Sequence, residues 1–273
     1  MNNLLQRLIT GLVAGSVAIA AVFWSAYGLW LFCLIVSVLG LYEFLGLRER
    51  PVSYRWAAVL GGSAVWAGVL LLLILDQWAD KQALLWQALP LLLPLLSLFL
   101  LFQEKEKNPL SEVGAFAMGF WYCFLPMLLL FALGLSSGEY DFRIPLGILI
   151  LTWGLDVGSY FSGRALGRRP LFPRISPKKT WEGSIGGGLV CLGLAWAFST
   201  MPFTSDQITF DWLIVGGIIA VFSQLGDLVE SMYKRSIAIK DSGSILPGHG
   251  GFLDRFDGTY FSIPIIFLYF SWL

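Results

Sequence analysis

The sequence has 273 residues, 57% hydrophobic and 13% charged, about half of the roughly 25% charge carried by a water-dissolved domain. A soluble globular protein is excluded. Lys plus Arg and Asp plus Glu both number 18, so the formal charge is zero and a nucleic-acid binder working through a strong overall field is excluded as well.

About 20 apolar residues cross the hydrocarbon core of a bilayer, and with that ruler the chain divides into nine spans: Leu8–Trp24, Tyr27–Leu47, Trp56–Leu75, Ala83–Phe102, Val113–Leu133, Pro145–Ser162, Gly183–Phe198, Trp212–Glu230 and Thr259–Leu273. The fold class is therefore all-α, a polytopic integral membrane protein forming one membrane domain over residues 1–273. The first span follows Arg7 without a small-residue cleavage site, so it reads as a retained helix and not a signal peptide. The first two spans are so close that they must form a tight hairpin. Pro90 and Pro94 are expected to kink the fourth. Cys33, Cys123 and Cys191 lie far apart inside apolar runs, which leaves them as packing or lipid-facing residues.

Cytoplasmic loops collect Lys and Arg, so counting basic residues in alternate loops tests the number of spans. One side receives Arg7; Arg48, Arg50 and Arg55; Lys105 and Lys107; Arg164, Arg168, Arg169, Arg174, Lys178 and Lys179; and Lys234, Arg235, Lys240 and Arg255. The other receives only Lys81 and Arg143. Such an alternation supports nine helices with the N-terminus in the cytoplasm and the C-terminus outside. The acids Asp76, Asp80, Glu139, Asp141, Asp206 and Asp211 fall on the outer side. The part up to about residue 140 reads mainly as helical scaffold, and residues 145–273 as catalytic helices with their cytoplasmic loops, of which 164–182 and 231–257 are the longest and most polar.

An ionisable group at the bilayer centre costs about 2.5–3.5 kcal/mol on insertion scales and so marks function or pairing. Glu43, Asp156 and Asp227 lie within spans. Glu43 is close enough to the cytoplasmic interface to favour a structural reading, and Asp156 stays open between an ion pair and the substrate site. Asp227 belongs to a stripe, Ser223, Asp227, Glu230 and Lys234, spaced to share one helix face. The stretch 231–257, SMYKRSIAIKDSGSILPGHGGFLDRFD, then combines basic residues, aspartates, glycines and His249, the chain's single histidine. Glycines let backbone N–H groups approach phosphate oxygens, cations neutralise phosphate charge and carboxylates hold Mg²⁺. Asp227 and Asp254 are the expected metal pair, with Asp257 as a third ligand or orienter; a helix starting at Asp254 would put Asp254 and Asp257 on one face. The glycine pairs Gly154/Gly158, Gly163/Gly167 and Gly183/Gly187 read as close helix packing.

The run Ser231, Lys234, Arg235, Lys240, Asp241, then His249-Gly250-Gly251, then Asp254-Arg255 and Asp257 resembles the signature of phosphatidate cytidylyltransferases, or CDP-diacylglycerol synthases. Further likeness lies in SPKKTWEG (Ser176 to Gly183), in SQLGD (Ser223 to Asp227) and in Asp156, Tyr160, Gly163 and Gly167. Tyr233 departs from the aliphatic residue or Phe more usual there. The resemblance implies that CTP and phosphatidic acid give CDP-diacylglycerol and pyrophosphate with Mg²⁺ or a similar divalent ion, and that Asp227 and Asp254 are its ligands.

On this reading Asp227, Asp254, Asp257, Lys240 and His249 form the catalytic set, His249 serving as phosphate donor or loop organiser ahead of proton transfer. Lys178, Lys179, Ser223, Lys234, Arg235, Gly250, Gly251 and Arg255 bind substrate, the first two clamping from the opposite loop. For the lysines and arginines outside the signature, anionic-lipid binding suffices. The expected location is a bacterial inner (plasma) membrane with the active site facing the cytoplasm; expected partners are CTP, phosphatidic acid and the bilayer, no nucleic acid, with a homodimer among the assemblies the sequence allows. A transporter is the alternative from another class, but its path should carry polar groups across the whole depth. A CTP-dependent lipid kinase is a second enzyme reading; a CDP-alcohol phosphotransferase would show spaced aspartates after an Asp-Gly, and Asp257-Gly258 is not followed by them.

Overall fold

The computed structural model describes residues 3–47, 52–78, 80–83, 109–201, 211–243 and 250–272. Within them helices occupy eight of the nine expected spans: α1 (Asn3–Trp24), α2 (Ala26–Gly46), α3 (Val52–Ile74), α4 (Pro109–Gly119) continued through a π turn (Phe120–Phe124) into α5 (Leu125–Leu133), α6 (Arg143–Leu166), α7 (Trp181–Thr200), α8 (Trp212–Ser236) and α9 (Asp257–Ser271). Residues 84–102 of the fourth expected span, its prolines included, lie outside the described residues. Among the described residues five helical stretches are long and apolar enough to cross a membrane: Ala26–Gly46, Leu110–Leu133, Arg143–Leu166, Trp181–Thr200 and Trp212–Ser236. The chain is a helical membrane protein.

Local chemistry explains the breaks. Ser25 alone separates α1 from α2, and its hydroxyl accepts the Gly28 N–H at 3.2 Å, an N-cap that closes the expected hairpin. Pro126 has no N–H to give to the carbonyl four residues back, and the ladder adjusts just before it: the Leu125 N–H reaches Phe120 O, five residues away. Asp211 caps α8 by accepting the Leu213 N–H at 2.7 Å.

Two kinds of packing hold the helices. The first half is filled by large rings: Trp66 is fully buried, with Phe124 and Phe131 each 5.9 Å away and Trp78 5.1 Å from Phe131. Trp66 donates to Ser37 Oγ at 2.8 Å, and Trp30 donates to the Trp66 carbonyl at 2.9 Å, so α2 and α3 are tied by hydrogen bonds that need no water. In the second half α6 and α7 meet through glycine, as the pair spacing predicts. A Cβ on Gly158 would lie 3.1 Å from the Gly187 Cα, one on Gly183 3.0 Å from the Gly163 Cα, and one on Gly187 2.7 Å from the Leu155 carbonyl oxygen. All three cysteines are buried packing residues.

The fold is all-α as expected, with one short strand pair in a loop. Part of the loop expected over 164–182 is an antiparallel pair, β1 (Pro170–Phe172) with β2 (Ser176–Thr180). Its base is locked to α7: the Glu182 carboxylate accepts the N–H groups of Arg168 and Arg169, the Trp181 N–H donates to the Arg169 carbonyl, and Thr180 caps α7 through the Gly183 N–H. This hairpin carries Lys178 and Lys179.

Candidate active site

A cavity of about 670 Å³ opens where α6, α7, α8, the β2 strand and the segment before α9 converge. Asp156, Lys178, Lys179, Ser223, Asp227, Lys234, Arg235, Lys240, Asp254, Arg255 and Asp257 all line it. Of the thirteen residues expected at the site, ten therefore meet on one cavity. His249 lies outside the described residues, as do Arg48, Arg50, Lys105, Lys107 and Asp206. Gly250 and Gly251 sit just behind the wall, Gly250 at φ +84°, a left-handed turn that favours glycine.

Asp227 reaches the cavity from α8 because Ser223, Asp227 and Lys234 recur on one face. The helix runs on to Ser236, six residues past the expected end of the span, and so lifts this stripe beyond the apolar run. The Ser231 hydroxyl donates to Asp227 Oδ1 at 3.3 Å, and Lys179 of the hairpin forms an ion pair with Oδ2. Asp156, on α6, lies within electrostatic reach of Asp227, Lys179 and Arg255.

Asp254 is built differently. The condition under which Asp254 and Asp257 would share a helix face is not met: Leu253–Arg255 is a single 3₁₀ turn, and α9 begins at Asp257. The Asp254 carboxylate gathers the turn around itself, accepting the Gly251 N–H at 2.9 Å and the Ser242 N–H at 3.1 Å and pairing with Lys234. Burial alone would raise its pKa, but the Lys234 ammonium and these donors outweigh it and hold the carboxyl below its ordinary value. Asp257 closes the row, accepting the Gly258 N–H at 2.7 Å.

Several basic residues are less available than their spacing suggests. Lys234 is 7% exposed and lies between Asp254 and Glu230, 3.1 Å from the latter. It orders the carboxylates first and meets a ligand second. Arg235 donates to the Ile175 and Ile239 carbonyls at 3.3 and 2.7 Å, so it staples the hairpin to the end of α8 while lining the cavity. The Gly251 N–H is directed at Asp254, so it organises the turn.

Two participants escaped the spacing argument. Ser159 of α6 lines the cavity with a buried hydroxyl that has no hydrogen-bond partner. Glu43 of α2 is 4% exposed and accepts the Leu253 N–H at 2.8 Å and the Ser242 hydroxyl at 3.2 Å. It grips both ends of the segment that positions Asp254. A carboxylate within a span was the available signal for Glu43, and only the fold supplies its partners.

The donor set fits a hard divalent cation. Among the described residues no three potential ligands close on one point. Mg²⁺ commonly takes one or two carboxylates and completes its shell with water and substrate phosphate. Asp227 and Asp254 are two such carboxylates on one cavity, and each is balanced here by a lysine ammonium.

Comparison with known proteins places the chain in a family. The model of the cytidylyltransferase family matches residues 5–273. A phosphatidate cytidylyltransferase of Bacillus subtilis is 34% identical over 278 residues, covering 99% of this chain and 98% of its own. One from Brucella suis is 31% identical over 274 residues, with 98% and 94% covered, and one from Haemophilus influenzae is 35% identical over 251 residues, with 86% and 78% covered.

Proposed function

Because the chain belongs to the cytidylyltransferase family and carries the nucleotidyltransferase activity its relatives are named for, making CDP-diacylglycerol from CTP and phosphatidate, we propose that the 670 Å³ cavity is where the two substrates meet. The observation that carries this reading is the convergence of the hairpin lysines, Asp227 of α8 and the Asp254 turn on one space.

A lipid phosphate is an anionic nucleophile at neutral pH, so attack on the α-phosphorus of CTP needs positioning and charge neutralisation more than a base. Lys178, Lys240, Arg235 and Arg255 line the cavity with positive charge and hold the phosphates against one another. Asp227 and Asp254 are the residues that would hold Mg²⁺, and when bound it would supply charge neutralisation for the triphosphate and the leaving pyrophosphate. Lys179 and Lys234 orient these two carboxylates through their ion pairs. Asp257 and Ser223 border the same space, and His249 either donates to a phosphate oxygen or organises its loop.

The arrangement in the membrane follows from charge. Sixteen of the 18 basic residues fall on one side of a nine-span chain, and Lys178, Lys240, Arg235 and Arg255 at the cavity are among them. Nine spans with the N-terminus and the cavity on the cytoplasmic side meet this distribution, and CTP is then drawn from the cytoplasm. The test is direct: purified protein in detergent, labelled CTP, phosphatidic acid and Mg²⁺. A labelled CDP-lipid and released pyrophosphate are expected, and folded, metal-supplied protein that makes neither overturns the reading.

A further inference from the structure

The wall of the cavity changes character along its length. Lys178, Lys240 and Asp254 belong to an ionic part, but where α6, α7 and α8 meet, the lining includes an uncharged patch of Gly163, Thr180, Gly183, Ser184 and Gln224. These residues are contiguous: a Cβ on Gly163 would lie 3.3 Å from Thr180 Oγ1 and 3.5 Å from the Gly183 Cα, and Gln224 reaches across from α8 to the Ser184 carbonyl. Two glycines keep the patch low, which suits a planar uncharged ring, while a triphosphate needs the ionic part. Gln224 stands one helical turn before Asp227 on α8, about 4.5 Å of rise, so a nucleotide with its phosphates at Asp227 can place its base there. We propose that Gln224 reads the base of the nucleotide, its Oε1 accepting a hydrogen bond from the 4-amino group of cytosine. The proposal rests on the CTP reading above and adds what tells CTP from UTP.

Gln224 suits this role because its amide cannot turn over. Its Nε2 donates to the Ser184 carbonyl at 3.1 Å and to the Ala220 carbonyl, one turn back on α8, at 2.8 Å. Both amide hydrogens are used in this way, and a turned amide would set Oε1 against two carbonyl oxygens. Oε1 is thereby fixed as an acceptor. Among the described residues no group donates to it, and its residue lines the cavity. A fixed acceptor separates the two pyrimidines. Cytosine carries an amino donor at position 4 and uracil a carbonyl oxygen, so CTP completes a hydrogen bond where UTP brings two acceptors face to face. The rival role for a glutamine within a span is to tie helices together, here α8 to α7. A tie alone would treat every nucleotide alike.

The experiment compares nucleotides that differ at position 4. Purified protein is assayed with dioleoyl phosphatidate, Mg²⁺ and, in turn, CTP, UTP and the triphosphate of 2-pyrimidinone riboside, which is cytidine without its amino group. Wild type is expected to favour CTP over the pyrimidinone nucleotide by about tenfold or more in kcat/KM, and over UTP by about a hundredfold or more. Gln224→Leu, close in volume but without an acceptor, is expected to bring the preference for CTP over the pyrimidinone nucleotide below about threefold, mainly by lowering kcat/KM for CTP. Gln224→Asn keeps the amide but withdraws it by one methylene; it is expected to do the same, and it answers the question if melting shows the Leu variant unfolded. The proposal is overturned if wild type uses CTP and the pyrimidinone nucleotide equally well, or if a folded variant loses activity on both by the same factor or keeps the wild-type preference. Wild type that makes no CDP-lipid from CTP overturns the phosphatidate reading itself, whereas an active wild type indifferent to the amino group overturns only the role of Gln224.

Discussion

The two halves of the molecule solve the same packing problem with opposite residues. The first half, up to α5, brings helices together by filling the space between them with Trp66, Phe124, Phe131 and Trp78. The second brings α6 and α7 together by removing side chains, so that Gly158 faces Gly187 and Gly163 faces Gly183. Bulk suits a region whose task is to hold shape in an apolar solvent, because it needs no polar partner. Close backbone approach suits the other, because it sets Lys179 of the hairpin beside Asp227 of α8. The contrast predicts that substitutions in the two halves fail differently.

The largest effects separate stability from chemistry. Trp66→Ala removes a fully buried ring and its hydrogen bond to Ser37. It should cost about 3–5 kcal/mol, read as a lower melting temperature in detergent, while turnover per folded molecule stays near wild type. Asp227→Asn and Asp254→Asn should do the reverse, lowering kcat by on the order of 10²–10³-fold or more with melting little changed. Chelation of divalent ions should reproduce that loss in the wild type and be reversed by added Mg²⁺. A near-normal rate in either Asn variant would remove that residue from the metal site. Gly187→Leu tests the seam itself: its side chain would press on the Leu155 carbonyl, costing about 1–3 kcal/mol or more. Stability and turnover should fall together, since the hairpin rides on α7. If Gly187→Leu melts normally, the glycine seam does not hold the two helices.

The difference between the halves also explains what could be read without coordinates. Apolar length locates helices because a bilayer imposes one ruler on every span, and helices occupy eight of the nine expected positions within the described residues. Glycines four apart indicated the α6–α7 seam for a similar reason, since the spacing alone puts them on one face. The β1–β2 pair was not legible: three and five residues interrupted by Pro170, Pro173 and Pro177 show no alternation. At the site, the i,i+4 pairing of Glu230 with Lys234 follows from helix geometry. The partnership of Lys234 with Asp254, 20 residues away, does not. The turn at Asp254 is not legible from the three-residue spacing, because its stabilising donors, Ser242 and Gly251, come from the folded loop.

Glu43 is where the division into scaffold and chemistry breaks down. It stands 199 residues from Ser242 and 210 from Leu253, yet its Oε2 accepts hydrogen bonds from both. The fit is close on that side, since a Cβ on Gly251 would lie 2.7 Å from the same oxygen. A residue of the first half thus sets the position of the Asp254 turn without lining the cavity. Glu43→Ala removes the oxygen that accepts both bonds and leaves the Leu253 N–H unsatisfied in a buried place; it should lower kcat/KM about 10–100-fold, the range for loss of groups that orient metal ligands. Glu43→Gln can present its amide oxygen to the same two donors and should stay within about threefold of wild type. The informative readout is the Mg²⁺ concentration for half-maximal rate, which a defect of packing alone would leave unchanged. It should rise in Glu43→Ala and return towards normal in Glu43→Gln. Should Glu43→Ala melt lower but keep its Mg²⁺ dependence, Glu43 belongs with Trp66 as scaffold, and the boundary between the halves is sharper than this hydrogen-bonded crossing implies.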